Sequence, residues 1–182
     1  MFNQILYVST LTFLLLFSGN VAAQNQVNYV PMEHHIKAAF LVKFIKYIDW
    51  PSSNSPSEKN KFKMGVFGES PIAGNLFALM PKKINGWRLE ISKIRDLEDT
   101  SDCHLVFLTS SEIHRYVEII TGLKNSSILT VSDTKNFLDM GGMIKFLSLD
   151  QMVRFEVNLK VAQKAGLRIS SELLQLATTV HK

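Results

Sequence analysis

The chain has 182 residues, 46% of them hydrophobic and 20% charged, with a formal net charge of +4. That composition suits one packed domain and excludes a disordered or collagen-like chain. The basic residues fall singly or in small groups, such as Lys59/Lys61/Lys63 and Lys82-Lys83, without interleaved aromatics, so nucleic acid is not an expected partner. One cysteine, Cys103, excludes an intramolecular disulfide.

Ile5–Phe17 is mostly apolar, Ser18-Gly19-Asn20 interrupts it, and Val21-Ala22-Ala23 sets small residues ahead of Gln24. This reads as a signal peptide over residues 1–23, cleaved before Gln24, although no charged residue precedes Glu33. The alternative is an uncleaved anchor, for which the run falls short of roughly 18–20 apolar residues. Gln24, not a cysteine, stands immediately after the cleavage site, so a lipoprotein is not indicated. Residues 24–182 are then expected to form a single exported, periplasmic domain.

After a polar leader, Ile36, Phe40, Phe44 and Ile48 recur every four residues and predict a helix, with Leu41 in the same core stripe. Trp50-Pro51 closes it, because a residue before proline avoids helical angles. A polar loop over residues 51–60 leads to the strand Phe62–Phe67. Ser70 then caps a helix over Ile72–Met80, with Pro71 at its first position. Trp87–Ile94 alternates as a second strand and His104–Leu108 reads as a third, fully apolar one. At its start, Cys103 reads as a small core residue; a thiol made reactive by His104, or one paired between chains, is the alternative.

Thr109-Ser110-Ser111-Glu112 predicts a capping box for a helix over Ser111–Gly122. Asn125–Val131, Met143–Leu147 and Val153–Leu159 read as further strands, with a short helix or turn over Ser132–Leu138. The link between the last two strands is short enough for an antiparallel hairpin. A helix over Leu159–Lys164, a cap at Gly166 and a last helix over Ser170–Val180 complete the chain. This order predicts a three-layer α/β fold: a mostly parallel sheet flanked by helices, with an antiparallel C-terminal edge hairpin.

Little in the sequence points to chemistry. The five histidines (His34, His35, His104, His114, His181) lack metal-ligand spacing and read as exposed or helix-end residues. Gly68-Glu69-Ser70-Pro71-Ile72 lacks the second glycine of a nucleophile elbow, and Gly65, Gly68 and Gly74 match no phosphate loop. No catalytic residue, metal or cofactor is therefore expected, and the chain is not read as an enzyme. Backbone N–H groups at the helix start after Ser70 offer an anion site. Arg154, Glu156 and Asn158 form the polar side of a strand; Arg168, Ser170 and Ser171 open the last helix. They are either a solvated face and caps, or a partner-facing edge where arginine and asparagine orient a carboxylate or phosphate. The candidate partner- or ligand-binding residues are Arg154, Asn158, Arg168, Ser170 and Ser70.

The run Lys37-Ala38-Ala39-Phe40-Leu41-Val42-Lys43-Phe44-Ile45-Lys46-Tyr47-Ile48-Asp49-Trp50-Pro51 resembles the opening helix of the YfiR-like periplasmic regulators. Gly141-Gly142-Met143-Ile144, Arg154-Phe155-Glu156-Val157-Asn158 and the stretch from Ala165 to Ala177 are similar to that family too. Val66-Phe67-Gly68-Glu69-Ser70-Pro71 and Cys103-His104-Leu105-Val106-Phe107 follow the same order, so the resemblance spans about Glu33 to Val180. It implies an exported α/β domain, homodimeric and non-catalytic, that represses an inner-membrane diguanylate cyclase by binding its periplasmic sensor region. Release of that restraint raises cyclic di-GMP and biofilm formation. Redox-responsive members use paired cysteines; with Cys103 alone, switching falls to ligand binding or dimer rearrangement. The alternative function is a periplasmic sensor of a small anionic ligand, its pocket at the Gly68–Ser70 turn and nearby strand ends.

Overall fold

A sheet of eight strands organises the computed structural model, which describes residues 29–56, 60–78, 83–124 and 126–182. The expected signal peptide, Met80 and Asn125 lie outside the described residues. In chain order the elements are α1 (Tyr29–Tyr47), β1 (Ile48–Asp49), β2 (Lys61–Phe67), α2 (Pro71–Phe77), β3 (Lys83–Ile84) and β4 (Trp87–Ile94). There follow β5 (Leu105–Leu108), α3 (Tyr116–Leu123), β6 (Leu129–Ser132), β7 (Ile144–Leu149) and β8 (Met152–Asn158). The chain finishes with α4 (Leu159–Lys164), β9 (Arg168–Ile169), α5 (Ser171–Leu176) and β10 (Thr179–His181). The fold is α/β with a mostly parallel sheet flanked by helices, as expected.

The order across the sheet is β10-β8-β7-β6-β5-β2-β4-β3. Strands β4, β2, β5, β6 and β7 are mutually parallel, so numbered along the chain they read 2-1-3-4-5. The chain thus winds one way from β2 to β4, then reverses from β5 onward. Right-handed crossovers on either side of a reversal put their helices on opposite faces. Accordingly Ile72, Ala73 and Leu76 of α2 join one apolar core, while Tyr116, Ile119, Ile120 and Leu123 of α3 join the other. Over β6, β7 and β8 the α2 face is covered by α1, with Ala162 of α4 and Leu173 of α5 in the same core. Phe40 and Phe44 of α1 meet Phe146 and Phe155 there, with ring centroids 5.4–6.1 Å apart.

Four expectations are corrected. Helix α1 ends at Tyr47, three residues before Trp50-Pro51, because Ile48 and Asp49 pair with Ile169 and Arg168 in a small antiparallel sheet. The Thr109 side chain caps nothing: its hydroxyl sits 2.8 Å from the Ser111 hydroxyl, and Ser110–Arg115 is a 3-10 helix leading into α3. The last helix stops at Leu176, and Thr179–His181 instead runs parallel to β8, outside the antiparallel β7–β8 hairpin. His104 is buried, its Nδ1 accepting the Lys63 N–H at 3.0 Å and its ring stacked on Phe62. Cys103 is buried beside it. Burial pushes its thiol up to about 11, which fits a core residue rather than a nucleophile.

Candidate functional site

The reversal of winding falls between β2 and β5, where open α/β sheets form a crevice at the carboxyl ends of their strands. Gly68 makes the turn after β2 with φ +88°, and a Cβ there would stand 2.4 Å from the Thr109 and Ser111 hydroxyls. A glycine is required by both conformation and space. Beside it opens a cleft of about 330 Å³, lined by Phe67, Gly68, Glu69, Lys93, Arg95 and Arg115 among others. Two of its three cations are paired. Lys93 pairs with Glu69 at 2.9 Å, and Arg115 lies 3.5–3.7 Å from carboxylates of Asp96, Glu112 and Glu118. Below the crevice the Tyr116 hydroxyl ties β5 to β6. It lies 2.9 Å from the Ser132 and Thr134 hydroxyls and 3.0–3.1 Å from the Leu108 and Thr109 carbonyls.

The sheet is differently exposed at the β7–β8 hairpin. Asp150 and Gln151 both take positive φ, 49° and 60°, as a two-residue turn matching strand twist demands. Strand alternation sends Phe146, Val153 and Phe155 toward α1, and Leu147, Leu149, Met152 and Arg154 to the other face. On that face Leu149 and Met152 are 46% and 48% exposed, flanked by the Lys145–Glu156 ion pair at 2.8 Å. Leu149 and Met152 are cross-strand partners, so their exposed side chains form one apolar spot at the hairpin tip.

The five sequence candidates do not converge. Ser70 accepts the Ile72 N–H at 3.2 Å and caps α2. Asn158 accepts the Val161 N–H and caps α4; Ser170 accepts the Leu173 N–H and caps α5. Arg154 is exposed on the hairpin face, 3.5 Å from the Met152 sulfur. Arg168 belongs to the β1–β9 ribbon and is 84% exposed, 3.6 Å from Asp49. That ribbon adjoins the opposite end of the sheet, where Trp50 donates to the His104 carbonyl and Asn54 to those of Cys103 and Ser127. Asn158, Arg168 and Ser170 therefore sit at the amino ends of the parallel strands, and Ser70 at their carboxyl ends. What sequence reasoning missed is the apolar part of the hairpin face. The alternation of Leu147, Leu149 and Met152 with core residues was its available signal.

The sequence model of one family, described as YfiR/HmsC-like, matches residues 34–178. The chain belongs to that family. YfiR/HmsC-like proteins are regulatory rather than catalytic, and are associated with periplasmic control of diguanylate cyclase signalling. No curated protein matches the chain. Among solved structures, the ABC domain in complex with L-Trp from Streptococcus pneumonia is similar with a TM-score of 0.54 and 13% identity, over 79% of this chain and 60% of that one. A conserved domain protein from Vibrio cholerae O1 biovar El Tor str. N16961 gives 0.53 and 9%, over 81% and 60%. This chain thus spans about three fifths of the length of either, and at such identity the likeness is one of fold. Among the described residues no helix of this YfiR/HmsC-like chain is long and apolar enough to cross a membrane.

Proposed function

We propose that the chain is a periplasmic regulator, exported by the signal peptide at residues 1–23. It binds the periplasmic sensor region of a membrane-bound diguanylate cyclase and represses it, lowering cyclic di-GMP and biofilm formation. The observation that carries this reading is membership of the YfiR/HmsC-like family over residues 34–178. Homodimerisation belongs to the same reading. The surface that suits the partner best is the β7–β8 face, because it pairs exposed Leu149 and Met152 with the Arg154 guanidinium. Arg168 is the second proposed contact. Ser70, Asn158 and Ser170 complete the set, but their side-chain oxygens already serve as caps, so replacing them costs about 0.5–2 kcal/mol of stability and blurs any binding assay.

The arginines give the cleaner experiment. Both are exposed, so Arg154→Glu and Arg168→Glu should shift stability by no more than about 0.5 kcal/mol. Arg154→Glu is expected to abolish co-purification with the cognate cyclase and to raise cellular cyclic di-GMP as deletion of the whole chain does. Co-purification retained in both variants would remove these surfaces, and unchanged cyclic di-GMP on deletion would remove the repressor role.

A further inference from the structure

Between α3, the turn at residues 139–143 and α4 lies a cavity of about 380 Å³. It belongs neither to the Gly68 crevice nor to the hairpin face, and its reading does not depend on the cyclase. Ile120, Leu123, Met140, Met143 and Val161 give it apolar walls. Thr130 lines the same space and is only 3% exposed. Its hydroxyl accepts the Met143 N–H at 3.2 Å, and among the described residues nothing accepts the hydroxyl proton. Buried hydroxyls seldom go without an acceptor, because their lost hydration is not otherwise repaid.

The charged groups point the same way. Lys124, Lys164 and Asp139 line the cavity, and among the described residues none of the three forms an ion pair. In the crevice beside Gly68, by contrast, Lys93 and Arg115 are paired. The cavity therefore carries a net positive charge, apolar walls and one buried donor. We infer that it binds a small organic acid with an apolar body, the body held by Ile120, Leu123, Met140, Met143 and Val161, and the carboxylate by Lys124, Lys164 and the Thr130 hydroxyl. Its volume lies within the range of ordinary small-molecule sites, toward the low end.

The test is calorimetric titration of the purified protein with octanoate and phenylacetate, and with 1-octanol and 2-phenylethanol as neutral counterparts. Saturable binding of at least one acid is expected, ten-fold or more tighter than its alcohol. Reversing both cations, Lys124→Glu with Lys164→Glu, is expected to weaken the acid ten-fold or more and leave the alcohol unchanged. Thr121→Trp, placed at the exposed rim, should abolish both, whereas Lys83→Glu, on the far edge strand, should alter neither. The two lysines are exposed, so the charge-reversed protein keeps the test readable if the tryptophan variant fails to fold. Equal affinity for acid and alcohol, indifference to charge reversal, or no saturable binding at millimolar concentration overturns the proposal.

Discussion

Lys37 is 5% exposed, and its ammonium lies 2.7 Å from Glu33 Oε1 and 2.8 Å from Asp133 Oδ2. Burial opposes its charge, yet the bonds to Asp133 and Glu33 outweigh that and hold its pKa above the ordinary 10.5. Burial likewise opposes the Glu33 carboxylate, but Lys37 and the Ser148 hydroxyl hold it below 4.5. The group thereby fastens α1 to the ends of β6 and β7. Lys37→Met would strand two carboxylates. The expected cost is about 3 kcal/mol, the low end for a broken buried pair, since the Asp133 side chain keeps 27% exposure. The stabilisation from Glu33 is complete above 4.5 and disappears as pH falls through its lower folded value; that from Lys37 is complete below 10.5 and disappears as pH climbs through its raised one. Urea midpoints across pH should show both limbs, and Glu33→Gln should flatten the acid one. A wild-type midpoint for Lys37→Met at pH 7, or an acid limb indifferent to Glu33→Gln, would contradict this.

At the scale of elements, α1 was legible because Ile36, Phe40 and Phe44 repeat at helical spacing; its partner strands were not, because periodicity says which side is buried and not against what. The structure supplies the answer: Phe44 stacks on Phe146 at 5.8 Å and meets Phe155 edge-on at 5.4 Å. Edge-on aromatic pairs add about 0.5–1.5 kcal/mol beyond the area they bury. A double-mutant cycle with Phe44→Leu and Phe155→Leu should return a coupling in that range by urea denaturation, while Phe44→Leu with Ile91→Val should add independently. A coupling near zero for Phe44 with Phe155 would mean that α1 is held by area alone. The last helix shows the opposite failure. Leu173, Leu174 and Ala177 promised a helix to Val180, but the β-branched run Thr178-Thr179-Val180 prefers strand, and the Thr178 N–H donates to Phe155 O at 2.8 Å. A free β8 edge, invisible in sequence, decided the matter.

For the molecule as a whole, alternation of strand and helix announced a parallel sheet, whereas the 2-1-3-4-5 order depends on which edge each crossover chooses and leaves no local trace. The candidate site shared that fate. Ser70, Asn158 and Ser170 were recognisable as polar residues beside helix starts, and caps are what they are; only placement separated Arg154 from Arg168 and opened the cavity beside Thr130. The same order explains the short outer strands. Two-residue β3 and three-residue β10 terminate the sheet, and short edges limit pairing with other chains. Beneath β10, the backbone of Glu156, Val157 and Asn158 belongs to a longer seven-residue strand that would otherwise lie open. A chain ending at Leu176 should therefore keep the β7–β8 hairpin while exposing the β8 edge. It should self-associate in proportion to concentration, read by light scattering, with a cross-linked species that Val157→Pro in the truncated chain suppresses by removing a backbone donor. A truncated chain that scatters as the intact one does at the same concentration would show that β10 is an ornament of the edge and not its guard.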